Sequence, residues 1–350
     1  MKKTSAFLCI LLFVISGLFS QNISIWDGTD STAWTQGSGA QSDPYLIETA
    51  SQLAYLAASV NSGNPYIGIY FKLTTDIDLN GYDWPIIGNS NINSFQGFFD
   101  GNNHSINDLR ITLTGNTPLY VGLFGYLNNA SVKKLNIIGD GDINLITNNT
   151  NTYYIGSIAG YSNASSIDSC ISSTIITLSR TATTSTTYST YVGGLVGYAS
   201  SVLATINHSL YQGTLNYNFD LNYSNTSSYT WYHYIGGVVG YLTTGASVEN
   251  SGHVNPLNIV SNIQGYYKNS YVYAGGIAGY MNGASSTPII IRRSYNRGDI
   301  NFTLRTNHIY SSSNYNMSSV AYTGGIAGYS SAYNTISDCY NRTALTPVLY

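Results

Sequence analysis

From residue 120 onward the chain repeats one order of short apolar runs and turn residues: strand, turn, strand, turn, with no credible helix. The order is punctuated by a phrase of two tyrosines, paired glycines and small apolar residues. It reads YVGGLVGY at 191–198, YIGGVVGY at 234–241, YAGGIAGY at 273–280 and YTGGIAGY at 322–329. Looser copies, YIGSIAGY at 154–161 and YVGLFGY at 120–126, bring the number to six, with closing tyrosines 35, 37, 43, 39 and 49 residues apart. Periods of this size predict a solenoid or a propeller. About ten residues after each phrase comes a second element, which places Cys170, Ser209, Ser251, Ser294 and Cys339 in one register.

Stacking accounts for the repetition. In a parallel β-solenoid, equivalent residues of successive coils lie about 4.8 Å apart and like side chains form ladders. Leu195, Val238, Ile277 and Ile326 are then one inward apolar ladder, and Tyr126, Tyr161, Tyr198, Tyr241, Tyr280 and Tyr329 are a second, structural one. The glycines serve either as corners of positive φ or as places where backbone approaches too closely for a Cβ. The reading is an all-β chain: a parallel β-solenoid (β-helix) of about six repeats over 116–350, preceded by an N-terminal cap and first coils at 21–115. The cap holds one short helix, with Thr49 and Gln52 as its capping box, Leu53, Leu56 and Val60 on one face and Asn61-Ser62-Gly63 as its stop. Solenoids need closed ends, and nothing comparable follows residue 340, so a partner or a missing module is expected there.

Composition narrows the function. Only 8% of the 350 residues are charged while 43% are hydrophobic, with 33 Tyr and 35 Gly, a balance suited to strands and tight turns rather than disorder. With a formal charge of −3 and no basic stripe, nucleic acid is not an expected partner. Lys2 and Lys3, the apolar stretch Ala6 to Phe19 and Ser20 read as a secretory signal peptide over 1–20, so the chain is expected to be secreted or displayed on the cell surface, and no later apolar run suits a membrane span. Export permits a disulfide, but Cys170 and Cys339 stand four repeats apart, roughly 19 Å at one coil per repeat, and are expected as unpaired, buried thiols.

The phrase and its leading region resemble the GLUG motif, most closely at Gly194-Leu195-Val196-Gly197. DPYLIETASQLAYLAASVNSG, YFKLTTDIDLNGYDWPIIG and FQGFFDGNNHSINDLRI are similar to the segment that precedes such repeats. The resemblance spans nearly all of the chain after the leader. It implies a β-solenoid of an exported bacterial surface protein, adhesin-like or attached to an extracellular peptidase. It carries no catalytic signature. The chain departs from that pattern in its long Tyr/Ser/Asn insertions and in lacking a recognisable anchoring tail.

Candidate chemistry is sparse. The glycine phrase is followed by no Lys-Ser/Thr and opens no helix, which argues against a nucleotide loop. Asp76 and Asp78 alternate along one strand and are the candidates for calcium, with no other cofactor expected. His208 and His253 come near one repeat register without metal-ligand spacing, and Arg292-Arg293 reads as a solvated turn. The better lead is the set of insertions between the second element and the next phrase, which stacking places along one edge. Their aromatics, Tyr217, Tyr223, Tyr229, Trp231, Tyr232, Tyr266, Tyr267, Tyr271, Tyr310 and Tyr315, lie among Ser and Asn, a mixture that makes adaptable contact surfaces. The expectation is an adhesin-like protein that binds a glycan or a host or neighbour-cell surface protein along that edge. The alternatives are a passive stalk or spacer and a polysaccharide lyase or hydrolase.

Overall fold

A computed structural model describes residues 23–114, 119–182, 186–223, 229–265, 268–307, 318–343 and 345–349. The leader read in residues 1–20 lies outside them. The described chain winds into a parallel β-solenoid whose strands form five sheets of nine, nine, seven, six and six strands. One coil visits all five. Val196–Ser200 lies in sheet V, Thr205–Asn207 in sheet II and Leu210–Tyr211 in sheet I, followed by Leu215–Tyr223 in sheet III and Tyr229–Gly236 in sheet IV, before the next coil begins at Val239. Each strand pairs in parallel with its equivalent one coil away, as in Val196↔Val239 and Leu215↔Leu257.

Register follows from burying one side of every strand. Leu123, Ile158, Leu195, Val238 and Ile277 are fully buried in one column, with Ile326 partly buried at its end. Val132, Ile167, Ile206, Val248 and Ile291 form another. Between sheets II and I the chain turns through left-handed residues that are not glycine: Ser169, His208, Asn250, Arg293 and Asp338, with φ from 47° to 56°. The turn is held by the register that the sequence places at Cys170, Ser209, Ser251 and Ser294. The hydroxyl of Ser209 accepts the Cys170 N–H at 3.1 Å, that of Ser251 accepts the Ser209 N–H at 3.1 Å, and that of Ser294 accepts the Ser251 N–H at 3.3 Å. Each of these serines donates its proton to a carbonyl two residues back. Buried turn N–H groups are thus satisfied from one coil to the next.

The region 21–115 supplies strands to the same sheets, beginning with Ser24–Ile25 and Tyr45–Ile47. Its helix, α1 (Ala50–Asn61), has the reciprocal Thr49–Gln52 capping box and buries Leu53, Leu56 and Val60. The last helical residue also organises the cap. Asn61 donates its amide to the Ile86 carbonyl at 2.9 Å and accepts the Gly88 and Asn89 N–H groups at 3.0 Å. The loop it holds pairs with the first strand of sheet V through Ile87↔Phe124 and Phe95↔Leu127, which covers that edge.

The two described cysteines, Cys170 and Cys339, are free. Cys170 is fully buried and its thiol is pushed up to about 12 by burial, whereas Cys339 is only half-buried, because the last described coil has a neighbour on one side.

Candidate functional site

The insertions do project from one edge, between sheets III and IV, but most of their described residues are strand rather than loop. Leu215–Tyr223 and Tyr229–Gly236, Leu257–Gly265 and Lys268–Gly275 extend the two sheets outward as a two-layered fin. Strand alternation then divides each segment in two. Leu215, Tyr217, Phe219 and Leu221 face inward and are buried, as are Trp231, His233 and Ile235 opposite them.

This corrects two of the candidate binding residues. Tyr217 and Trp231 have no exposed surface. The Tyr217 hydroxyl meets His233 Nδ1 at 2.5 Å, and Trp231 packs against Phe219 and Tyr188. Tyr229 shares their parity and is partly buried against the core. Tyr232 and Tyr271 face outward. They stack on each other at 5.4 Å and 13°, and Tyr232 lies parallel to Tyr234 at 6.3 Å. The Tyr223 side chain and Tyr266, Tyr267, Tyr310 and Tyr315 lie outside the described residues.

The fin core holds a charge that sequence reasoning missed. Arg180 is buried, its guanidinium lies 3.7 Å from the centre of the Tyr188 ring, and it donates to Thr190 Oγ1 at 2.8 Å and to the Asn149 and Asn151 carbonyls at 3.0 and 2.8 Å. A cation–π contact with three oxygen acceptors keeps a desolvated guanidinium in place. The only advance signal was an arginine on the inward parity of IITLSRTA. Burial, with Arg180 nearby, holds His233 well below its ordinary range, so that it stays neutral beside Tyr217.

The outer surface at the junction of sheets IV and V carries two tyrosine ladders. Tyr120, Tyr154, Tyr191, Tyr234, Tyr273 and Tyr322 stack at 4.9–5.2 Å, and Tyr126, Tyr161, Tyr198, Tyr241, Tyr280 and Tyr329 at 4.7–5.1 Å. The lines meet edge to face, as Tyr191 and Tyr198 do at 5.0 Å and 85°. Both tyrosines of each phrase therefore fill the angle between the sheets from outside. Burial, followed by repulsion from the neighbouring phenols, pushes Tyr126 up to about 12, and burial likewise raises Tyr241 to about 12, which leaves the hydroxyls protonated at neutral pH.

The phrase glycines do not sit at positive φ. Their role is close approach. A Cβ on Gly193 would overlap the Val196 carbonyl, and one on Gly194 would overlap the Tyr211 ring and the Gly237 carbonyl. Gly237 faces His253 in the same way, and Gly276 faces Asn296.

The remaining candidates are occupied. Asp76 Oδ1 accepts the Ser105 N–H at 2.8 Å and lies 3.1 Å from His104 Nδ1, while Asp78 Oδ1 accepts the Asn80 N–H at 2.6 Å. Among the described residues no three His, Cys, Asp or Glu side chains gather as a metal site. His208 and His253 do not share a register: His208 is exposed 3.1 Å from Asp168, whereas His253 is buried between Tyr211 and Asn296, its Nδ1 2.8 Å from Asn296 Oδ1. Arg292 and Arg293 both pair with Glu249, at 2.7 and 3.0 Å.

No family model matches the chain. A Gly-rich membrane protein of Evansella cellulosilytica is 35% identical over 143 residues, which is 39% of this chain and 15% of that protein. The halomucin of Haloquadratum walsbyi is 26% identical over 137 residues, 36% of this chain and 2% of its own length. The chain thus spans a small part of these curated relatives. Among solved structures, a Bacteroides ovatus crystal structure titled as an immunoglobulin A1 protease superposes with a TM-score of 0.52 at 19% identity, covering 90% of this chain and 80% of that one. That likeness concerns the fold. In the described residues no helix is long and apolar enough to cross a membrane.

Proposed function

We propose that the chain is an exported, surface-displayed binding module that recognises a glycan or a surface protein through the outward face of its fin. The observation that carries this reading is the half-buried Tyr232–Tyr271 stack, set among Ser189, Thr230 and Asn269 on sheet IV. Rigid aromatics beside small polar groups give contact area at little entropic cost. Repetition along the axis adds avidity without one strong site. The membrane-protein name of one relative and the resemblance of the phrase to the GLUG motif support display outside the cell.

Binding of the purified chain to a glycan array and to intact cells tests the reading. Tyr232→Ala with Tyr271→Ala abolishes the signal if the fin face is the contact surface, and unchanged binding rejects that assignment. A second reading, a passive stalk, is favoured by the uninterrupted double tyrosine ladder, which stiffens the solenoid along its axis. It predicts an elongated particle in solution scattering that binds none of the probes. Depolymerisation of a polysaccharide by the purified chain would instead promote the lyase or hydrolase alternative.

A further inference from the structure

The first tyrosine ladder begins beside a cavity. Tyr154 covers one face of Tyr120 at 5.0 Å and 15°, and among the described residues no ring stacks on the other. Tyr120 lines a cavity of 620 Å³ between the cap and the first strands of sheets III and IV. Its apolar wall is Trp84, Ile111, Leu113 and Leu119, and its polar rim is Asp83, Asn89, Ser90, Asn91 and Thr112. The volume lies within the range of small-ligand sites. Trp84 is 4% exposed, and its indole N–H is buried with no hydrogen-bond partner. The N–H is closed off from the cavity, so Trp84 contributes the apolar part of its ring to the wall.

From the Tyr120 ring, the apolar wall and the amide rim, we infer that this cavity binds the ring of a neutral pyranose. The apolar face of the sugar stacks on the Tyr120 ring, and its hydroxyls reach the side chains of Asn89 and Asn91. Among the described residues no cation lines the cavity and its one charged group is Asp83, which selects against uronates and other anions. Asn61 presets the rim by anchoring Gly88 and Asn89. The site is separate from the fin face and does not depend on it.

Ligand-observed NMR with methyl glucoside, galactoside and mannoside, and with methyl glucuronide as the charged comparator, tests the inference on the full chain. At least one neutral glycoside should bind saturably in the millimolar range, with the glucuronide about tenfold weaker or more. Tyr120→Leu should weaken binding at least about tenfold, while Tyr120→Phe, which keeps the ring face, changes it less than about threefold. Trp84→Phe keeps an apolar aromatic wall and should change binding less than about threefold. Asn91→Ala, at an exposed rim position that the fold does not use, should weaken it about threefold and guards against misfolding of the ring variants. Tyr232→Ala and Tyr271→Ala should leave it unchanged, so that failure here and failure of the fin are told apart. The inference is overturned if no neutral glycoside binds below about 50 mM, if the glucuronide binds best, or if Tyr120→Leu and Asn91→Ala are both without effect.

Discussion

At the corner between sheets IV and V successive coils carry nearly the same side chains, whereas in the fin they do not. Tyr191 and Tyr198 have a like residue above and below them at about 5 Å. Across the fin, Arg180 lies in register with Phe219, and Trp231 with Tyr188 and Ser270. The corner brings backbone against backbone, so the space for each side chain is set by the stack and only one composition fits. The fin packs two sheet faces through side chains alone. Volume can then be exchanged across the layer, as when a guanidinium in one coil gives way to an aromatic ring in the next.

The contrast can be broken most directly in the fin core. Trp231→Ala should cost about 3–5 kcal/mol in urea denaturation, because the cavity is enclosed on both sides, while Trp231→Phe should cost about half as much. A loss under about 1 kcal/mol for the alanine variant would mean that the two layers are not a packed core.

At the corner the largest effect comes from adding atoms rather than removing them. Gly194→Ser should cost about 2–3 kcal/mol by overlap with Tyr211. One coil earlier the same position is Ser157, and the residue in register with Tyr211 is Ser172. Gly194→Ser combined with Tyr211→Ser should therefore recover about 1–2 kcal/mol relative to the sum of the single changes. Simple additivity in that double-mutant cycle would show that the ring is not what excludes a side chain.

Acid should weaken both regions. Burial holds His253 at about 4, against an ordinary value of 6.5, with the Asn296 bond only partly offsetting it, and His233 is displaced in the same direction. The unfolded chain takes up these protons below pH 6.5 while the folded chain resists. Their contribution to stability is therefore complete above pH 6.5 and declines as the pH falls towards 4, by up to about 1.4 kcal/mol per pH unit for each histidine. His253→Asn, which places in this coil the residue its neighbour has at Asn296, should flatten the slope of melting temperature against pH. An unaltered slope would remove His253 from the account.

The smallest effect is expected on the outward face. Tyr232→Ala should change stability by no more than about 0.5 kcal/mol while it weakens binding strongly. Equal losses in both would make the residue structural.

The repeat, the solenoid, the inward ladder, the serine–cysteine register and the capped helix were all legible in the chain. Each depends on residues close in sequence or on a period, and a parallel stack turns a period directly into contacts. Parity within the insertions was harder to read. YTWYHYIG is aromatic on both sides of the strand, so composition alone could not say that Trp231 faces the core and Tyr232 the solvent. The same ambiguity hid Arg180, whose burial depends on rings and carbonyls brought from Tyr188, Asn149 and Asn151. The cavity at Tyr120 was invisible for another reason: its walls, Trp84, Ile111 and Leu119, are distant in sequence and meet only where the cap packs against the first coil. The sequence by itself determined the coil and its spacing, since both are written into like residues at regular intervals. Tertiary structure decided which aromatics are core, which are surface, and where the ladder meets a cavity, because those outcomes depend on what the opposite layer or the neighbouring coil supplies.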